Sequence, residues 1–291
     1  MSYSSLSEII SYTEEHGVLF WEAVLEDDMA ERKVSKEESL GQMKATWDAV
    51  LHASSHYEPK LKSSSGLVGG QGAQMENYCK NHTPLCGSFV GKVMTQALKM
   101  GESNACMKRI VAAPTAGACG VLPAVLVPYY TERHMEENQI LEAMYVAAGI
   151  GQVIALRASI SGAAGGCQAE IGSASAMAAG ALTYLEGGDA VQICHASAMA
   201  LKNLLGLVCD PVAGLVEIPC VKRNVIGAVN ALSSADMALA GIVSRIPPDQ
   251  VIDAMKEVGD KLDVSLRETG MGGLAATPAG IEIMDKLHHK S

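Results

Sequence analysis

Hydrophobic positions recur three and four residues apart over most of the chain, the spacing of helices that bury one face. Trp21, Val24 and Leu25 form one such stripe, and Leu40, Met43 and Trp47 form another, with charged positions between them. Ser5-Leu6-Ser7-Glu8 and Ser35-Lys36-Glu37-Glu38 each set a serine three residues ahead of a glutamate, which predicts two capping boxes and two helix starts. A break from Lys60 to Gly72 is too rich in glycine and serine for a helix. From about Met94 the helical pattern resumes. It predicts helices over 122–134, 139–156, 169–185, 190–207, 221–240 and 248–262, the last opened by Pro247-Pro248. Period-two runs of β-branched and aromatic residues are scarce, so few strands are expected. The expected fold class is mainly α. A charged helical layer, 1–60, would pack on a helical core, 61–291, within one continuous domain.

Composition narrows the function. The 291 residues are 48% hydrophobic, enough for a large core. The formal net charge of −10 argues against nucleic acid as a partner, because that requires a basic face. Aromatics are only 4%, so small residues and the 15 methionines must fill the interior. Two stretches, 111–130 and 171–185, carry no charge. The first is interrupted by Pro114, Gly117, Gly120, Pro123 and Pro128, and the second is mostly Ala, Ser and Gly, so both read as buried core rather than membrane spans. Met1-Ser2-Tyr3-Ser4-Ser5 lacks the basic and apolar stretches of a secretory signal. A cytoplasmic, reducing location is expected, where clustered cysteines point to metal or catalysis rather than disulfides.

Three of the eight cysteines stand at breaks in the helical pattern. Cys167 follows Ala163-Ala164-Gly165-Gly166, Cys209 precedes Asp210-Pro211, and Cys220 follows Ile218-Pro219. Loops and helix ends are therefore expected at all three. A thiolate at Cys167 would gain from the helix start near Ala169, and Lys222 and Arg223 lie close to Cys220 to offset charge. Three thiolates are one short of those that saturate a cubane iron–sulfur cluster, and the unsaturated iron is a Lewis acid. Against this stands simple packing, the commonest use of a free cysteine. The spacing C-x41-C-x10-C matches no short zinc or ferredoxin motif. Cys194 falls mid-helix beside His195 and reads as core, and Cys79, Cys86, Cys106 and Cys119 have no comparable setting.

Three segments suit a small anionic substrate. Lys62-Ser63-Ser64-Ser65-Gly66 offers hydroxyls, backbone N–H groups and a cation, or else is a flexible linker. Ala113-Pro114-Thr115-Ala116-Gly117-Ala118-Cys119-Gly120 runs into a helix and leaves N–H donors free, or else is a tight turn. In Arg267-Glu268-Thr269-Gly270, Arg267 and Thr269 flank a glycine turn that would clamp a carboxylate, or else Arg267 and Glu268 are a surface pair.

These segments, with Gly166-Cys167-Gln168-Ala169-Glu170-Ile171-Gly172, Leu207-Val208-Cys209-Asp210-Pro211-Val212-Ala213-Gly214 and Glu268-Thr269-Gly270-Met271-Gly272-Gly273-Leu274, resemble the alpha chain of the iron–sulfur-dependent L-serine dehydratases. The resemblance runs through nearly the whole chain. It implies a mainly helical, oxygen-sensitive [4Fe–4S] lyase that converts L-serine to pyruvate and ammonia without pyridoxal phosphate. Cys167, Cys209 and Cys220 match the cluster ligands. Ser63, Ser64, Ser65, Gly66, Thr115, Arg267, Thr269 and Gly270 become the expected substrate contacts, and Lys62 a candidate base. One-chain members carry a preceding beta-type domain with a Ser-Ser-His-Thr motif, to which Ser54-Ser55-His56-Tyr57 is only superficially similar. The resemblance therefore implies a beta chain as partner and a hetero-oligomer. Some relatives end in a cysteine, whereas this tail reads Lys286-Leu287-His288-His289-Lys290-Ser291.

Two other functions use the same residues. A pyridoxal phosphate lyase would take Lys62 as Schiff base and the glycines from Gly66 to Gly72 as phosphate cradle. A redox sensor would carry a cluster on the same thiols without turnover.

Overall fold

The computed structural model describes residues 3–289; Met1, Ser2 and the tail residues Lys290 and Ser291 lie outside the described residues. Thirteen α-helices follow one another among those described: α1 (Leu6–His16), α2 (Phe20–Arg32), α3 (Lys36–Ser55), α4 (Gln71–Asn81), α5 (Gly87–Ala105), α6 (Val121–Arg133), α7 (Glu137–Arg157), the single turn α8 (Gly162–Gly165), α9 (Ser173–Leu185), α10 (Ala190–Lys202), α11 (Cys220–Leu239), α12 (Pro248–Lys261) and α13 (Pro278–His288). Extended pairing among the described residues is limited to a parallel bridge between Cys209 and Arg267. The fold is mainly α.

Local chemistry sets most of the boundaries. Ser5 and Ser35 accept hydrogen bonds from the backbone N–H groups of Glu8 and Glu38, and Glu38 reaches back to Ser35 to complete a capping box. The helix expected at 190–207 stops at Lys202. The chain then turns through shorter-range hydrogen bonds to Gly206, whose φ of 84° is left-handed. The helix expected from 169 opens with one wide π-turn, Gln168–Gly172, before α9. Helix also forms in α4 and early α5, ahead of the expected restart near Met94. The glycines there serve close approach: a Cβ on Gly72 would lie 2.7 Å from Lys99 Cγ, and one on Gly91 2.7 Å from Pro84 Cγ.

α9 is the centre of the molecule, with α6, α7, α10 and α11 packed around it. Every residue from Ser173 to Thr183 is buried. Small side chains permit this: a Cβ on Gly180 would stand 2.2 Å from Ile150 Cδ1 and 3.0 Å from Ser197 Oγ. Two of its polar side chains are satisfied internally, Ser175 Oγ donating to Gly227 O and Thr183 Oγ1 to Ala179 O, while Ser173 Oγ finds no partner among the described residues. This is why 171–185 carries no charge. α7 has the length and apolar composition of a membrane span, yet 67% of that window is buried inside the protein. One hydrophobic cluster runs from Leu6 and Ile9 of α1 and Trp47 of α3 through α9 to Met255 of α12. The N-terminal helices thus share the core of the remainder.

Candidate functional site

All three cysteines stand where chain direction changes. Cys167 lies between α8 and the π-turn and is 3% exposed. Gly166 before it has φ 75°, and a Cβ there would meet Leu262 Cδ1 at 2.6 Å and Leu207 O at 2.9 Å, so glycine is required on two counts. Gln168 fixes the other side: its amide donates to Met255 O at 3.0 Å and accepts from Gly206 N at 2.9 Å. Cys209 is also 3% exposed and forms an extended bridge, its N–H donating to Leu266 O and its carbonyl accepting from Glu268 N. Half-buried Cys220 opens α11 after the cis Ile218–Pro219 bond.

The three thiols form one electrostatic group. Burial is the largest influence on each, pushing Cys167 up to about 11, Cys220 up to about 12 and Cys209 up as well. Cys209 is raised further by Cys167 and Cys220, Cys220 by Cys167, and all three by the Glu170 carboxylate. The Arg223 guanidinium opposes this at Cys167 and Cys220. Among the described residues, no three His, Cys, Asp or Glu side chains crowd around a point that would hold a single metal ion. A cubane asks for something else, one thiolate on each of three irons, and the chemistry of this set, two buried and one half-buried free thiol with a guanidinium nearby, is compatible with that. Space beside them is kept by glycine: a Cβ on Gly162 would lie 2.9 Å from Cys209 Sγ and 2.7 Å from Glu170 Oε2.

Each proposed substrate segment is fastened to a cysteine-bearing one. Ser63 and Ser65 both donate to Glu217 Oε2, at 2.9 and 2.5 Å, three residues ahead of Cys220. Thr115 Oγ1 donates to Glu170 Oε1 at 2.6 Å, three residues beyond Cys167. Asn224 adds a second link, donating to Gly117 O and Cys220 O and accepting from Gly120 N. Arg267 shares the backbone bridge with Cys209.

The individual side chains differ in what they leave free. Ser63 and Ser65 spend their protons on Glu217, while Ser64 and Gly66 are exposed. Lys62 Nζ donates to Gly69 O at 2.5 Å and closes its own loop. Thr269 Oγ1 donates to Val264 O, and Gly270 turns with φ 67°. The half-buried Arg267 guanidinium makes no hydrogen bond among the described residues. Cys194 is 1% exposed within α10. An apolar cavity of about 280 Å³ lies behind Pro114, lined by Trp47, Leu122, Leu126, Met144 and Met177 among others. It includes no charged side chain and none of the three cysteines, so it does not suit a zwitterion.

Sequence reading passed over the two acids that organise the site. Glu170 is held above the usual carboxylate range, chiefly by burial and further by Glu268, with the Thr115 hydrogen bond opposing. Glu217 is 7% exposed. Both sit between apolar neighbours, in Ala169-Glu170-Ile171 and Val216-Glu217-Ile218. A carboxylate in an apolar run needs partners or a task, and that was the available signal.

Residues 15–275 match the family model described as serine dehydratase alpha chain. The chain is 44% identical over 285 residues to the probable L-serine dehydratase, alpha chain, of Bacillus subtilis, covering 98% of this chain and 95% of that protein. It is 42% identical over 278 residues to the L-serine dehydratase, alpha chain, of Peptoniphilus asaccharolyticus, covering 95% of each. It is 36% identical over 279 residues to an L-serine dehydratase of Haemophilus influenzae, covering 94% of this chain and 61% of that protein.

Proposed function

Because the chain belongs to the serine dehydratase alpha chain family, we propose that it is the catalytic subunit of an iron–sulfur L-serine dehydratase, a lyase releasing pyruvate and ammonia. The observation that supports the cluster is that Cys167, Cys209 and Cys220, free and two of them fully buried, come from three separate chain breaks into one electrostatic group. These residues would hold a [4Fe–4S] cluster. When bound, it would supply an iron with an open position, a Lewis acid for the substrate β-hydroxyl.

The chain's own groups handle the rest of the substrate. The Arg267 guanidinium, which makes no hydrogen bond among the described residues, takes the serine carboxylate, and Ser64 and the backbone turns at Gly66 and Gly270 supply further contacts. Glu170 takes the α-proton on Oε2, while Thr115 fixes Oε1. Its burial makes it a stronger base than an exposed carboxylate. As the α C–H bond breaks, its electrons form the Cα–Cβ double bond and the β C–O bond breaks. The hydroxyl oxygen takes up the proton that Glu170 removed and leaves as water, which returns Glu170 to its carboxylate form. The aminoacrylate tautomerises to an imine, and one water hydrolyses it to pyruvate and ammonia. The Lys62 amine, turned onto Gly69 O, gives no support to a Schiff-base reading.

Relatives that share nearly the whole length are named alpha chains, which supports a beta chain as partner. The test is iron and acid-labile sulfide after anaerobic purification, followed by serine turnover with the beta chain added. About four of each per chain is expected. Negligible iron and sulfide in folded anaerobic protein would overturn the cluster assignment.

A further inference from the structure

Of the two basic residues that follow Cys220, only one faces the cysteines. Lys222 is exposed. Arg223 lies one turn along α11 from Cys220 and so shares its face. Its Nη1 donates to Val208 O at 2.7 Å and its Nη2 to Asp210 Oδ1 at 2.8 Å. Those two acceptors flank Cys209 on either side. Its positive charge also acts on the Cys167 thiol and favours the thiolate there. One planar group therefore acts on the segments of all three cysteines.

The anchor is itself braced. The Arg223 and Asp210 side chains are 15% and 4% exposed, so water does not compete for the pair. The second Asp210 oxygen accepts from Leu274 N at 2.8 Å. A Cβ on Gly273 would stand 2.4 Å from that oxygen, so the backbone closes directly on the carboxylate. Lysine cannot copy this arrangement, because its ammonium lacks the fork that reaches two fixed acceptors at once.

We propose that Arg223 is a positioning residue for the cluster: it clamps the chain on both sides of Cys209, ties that clamp to the Cys220 helix, and sets a positive charge beside the ligand sulfurs. The inference rests on the cluster reading above. Hydrogen bonds and positive charge at a ligand sulfur favour the reduced cluster, and second-shell partners hold ligands against loss.

The experiment compares wild type with Arg223→Met, Arg223→Lys and Lys222→Gln, all purified anaerobically. Three quantities are read: iron and sulfide per chain, the rate at which a chelator strips iron, and the midpoint potential of the cluster. Arg223→Met is expected to lose iron about tenfold faster. It should also shift the reduction equilibrium about tenfold toward the oxidised state, about 59 mV for one electron. Arg223→Lys keeps the charge and should restore much of the potential while still losing iron faster than wild type. Lys222→Gln should match wild type in every reading. If Arg223→Met does not fold, Arg223→Lys and its iron-loss rate carry the test. Wild-type potential and iron retention in Arg223→Met, or wild-type retention in Arg223→Lys, would overturn the inference. Wild-type protein without iron or sulfide would instead overturn the cluster reading itself.

Discussion

Around α9 the buried contacts are made by methyl groups, methylenes and backbone, and residues from Ser173 to Thr183 are all inside. Around Cys167, Cys209 and Cys220 the buried contacts are ionic or hydrogen-bonded, among them Arg223 with Asp210, Ser63 with Glu217 and Thr115 with Glu170. The first region is built from neighbours on regular helices. The second joins residues up to 154 positions apart, as with Ser63 and Glu217. Apolar packing is broken by a change of size or by a buried charge. The loop cage is tight at its glycines and is broken as readily by the loss of one hydrogen-bonding or ionic partner.

Variants can set these two kinds of construction against each other. The largest separation should come from Cys209→Ser. Loss of Lewis-acid assistance is expected to lower turnover at least about 1,000-fold, while the melting curve of the iron-free protein moves by less than about 1 kcal/mol. Iron analysis and calorimetry read the two effects. Next is Glu170→Gln, expected to lower kcat about 100-fold or more with cluster content unchanged. An activity equal to wild type would remove Glu170 as the base. In the core, Gly180→Leu should cost about 3 kcal/mol by overpacking against Ile150 and leave the iron content of the surviving folded protein intact.

A finer probe is the pH profile. Glu170 acts ionised, so turnover falls as pH drops through its raised value. Thr115→Val removes the hydrogen bond that favours ionisation, so the acidic limb of kcat should move to higher pH. A limb that stays put would separate Thr115 from the base. The smallest effect belongs to Ser5→Ala, which removes the N-cap of α1. About 1 kcal/mol of stability should be lost, with iron and turnover unchanged per folded chain.

The same contrast explains what the amino-acid pattern disclosed. The starts of α1, α3 and α12 were legible because capping serines and a proline act within one turn. α6, α7 and α11 declared themselves by long apolar periodicity. α4 and early α5 did not, since the glycine-rich run ending at Gly72 reads as a break, whereas Gly72 and Gly91 are spacers where helices and loops approach closely. Chain breaks at the cysteines were visible, but C-x41-C-x10-C says nothing of convergence. That depends on Arg223 reaching back to Val208 and Asp210, and on Gln168 reaching α12. Which serine hydroxyls remain free was equally hidden, because Glu217 claims two of them from a distant loop.

The bridge between Cys209 and Arg267 makes the proposed cluster ligand and the proposed grip on the substrate carboxylate adjoining pieces of one backbone pairing. A disturbance at the iron end therefore travels no further than a pair of peptide groups before it reaches the place where serine is received. Loss of the cluster would show as weaker capture of substrate as well as slower conversion, and a rebuilt cluster would restore both in one event.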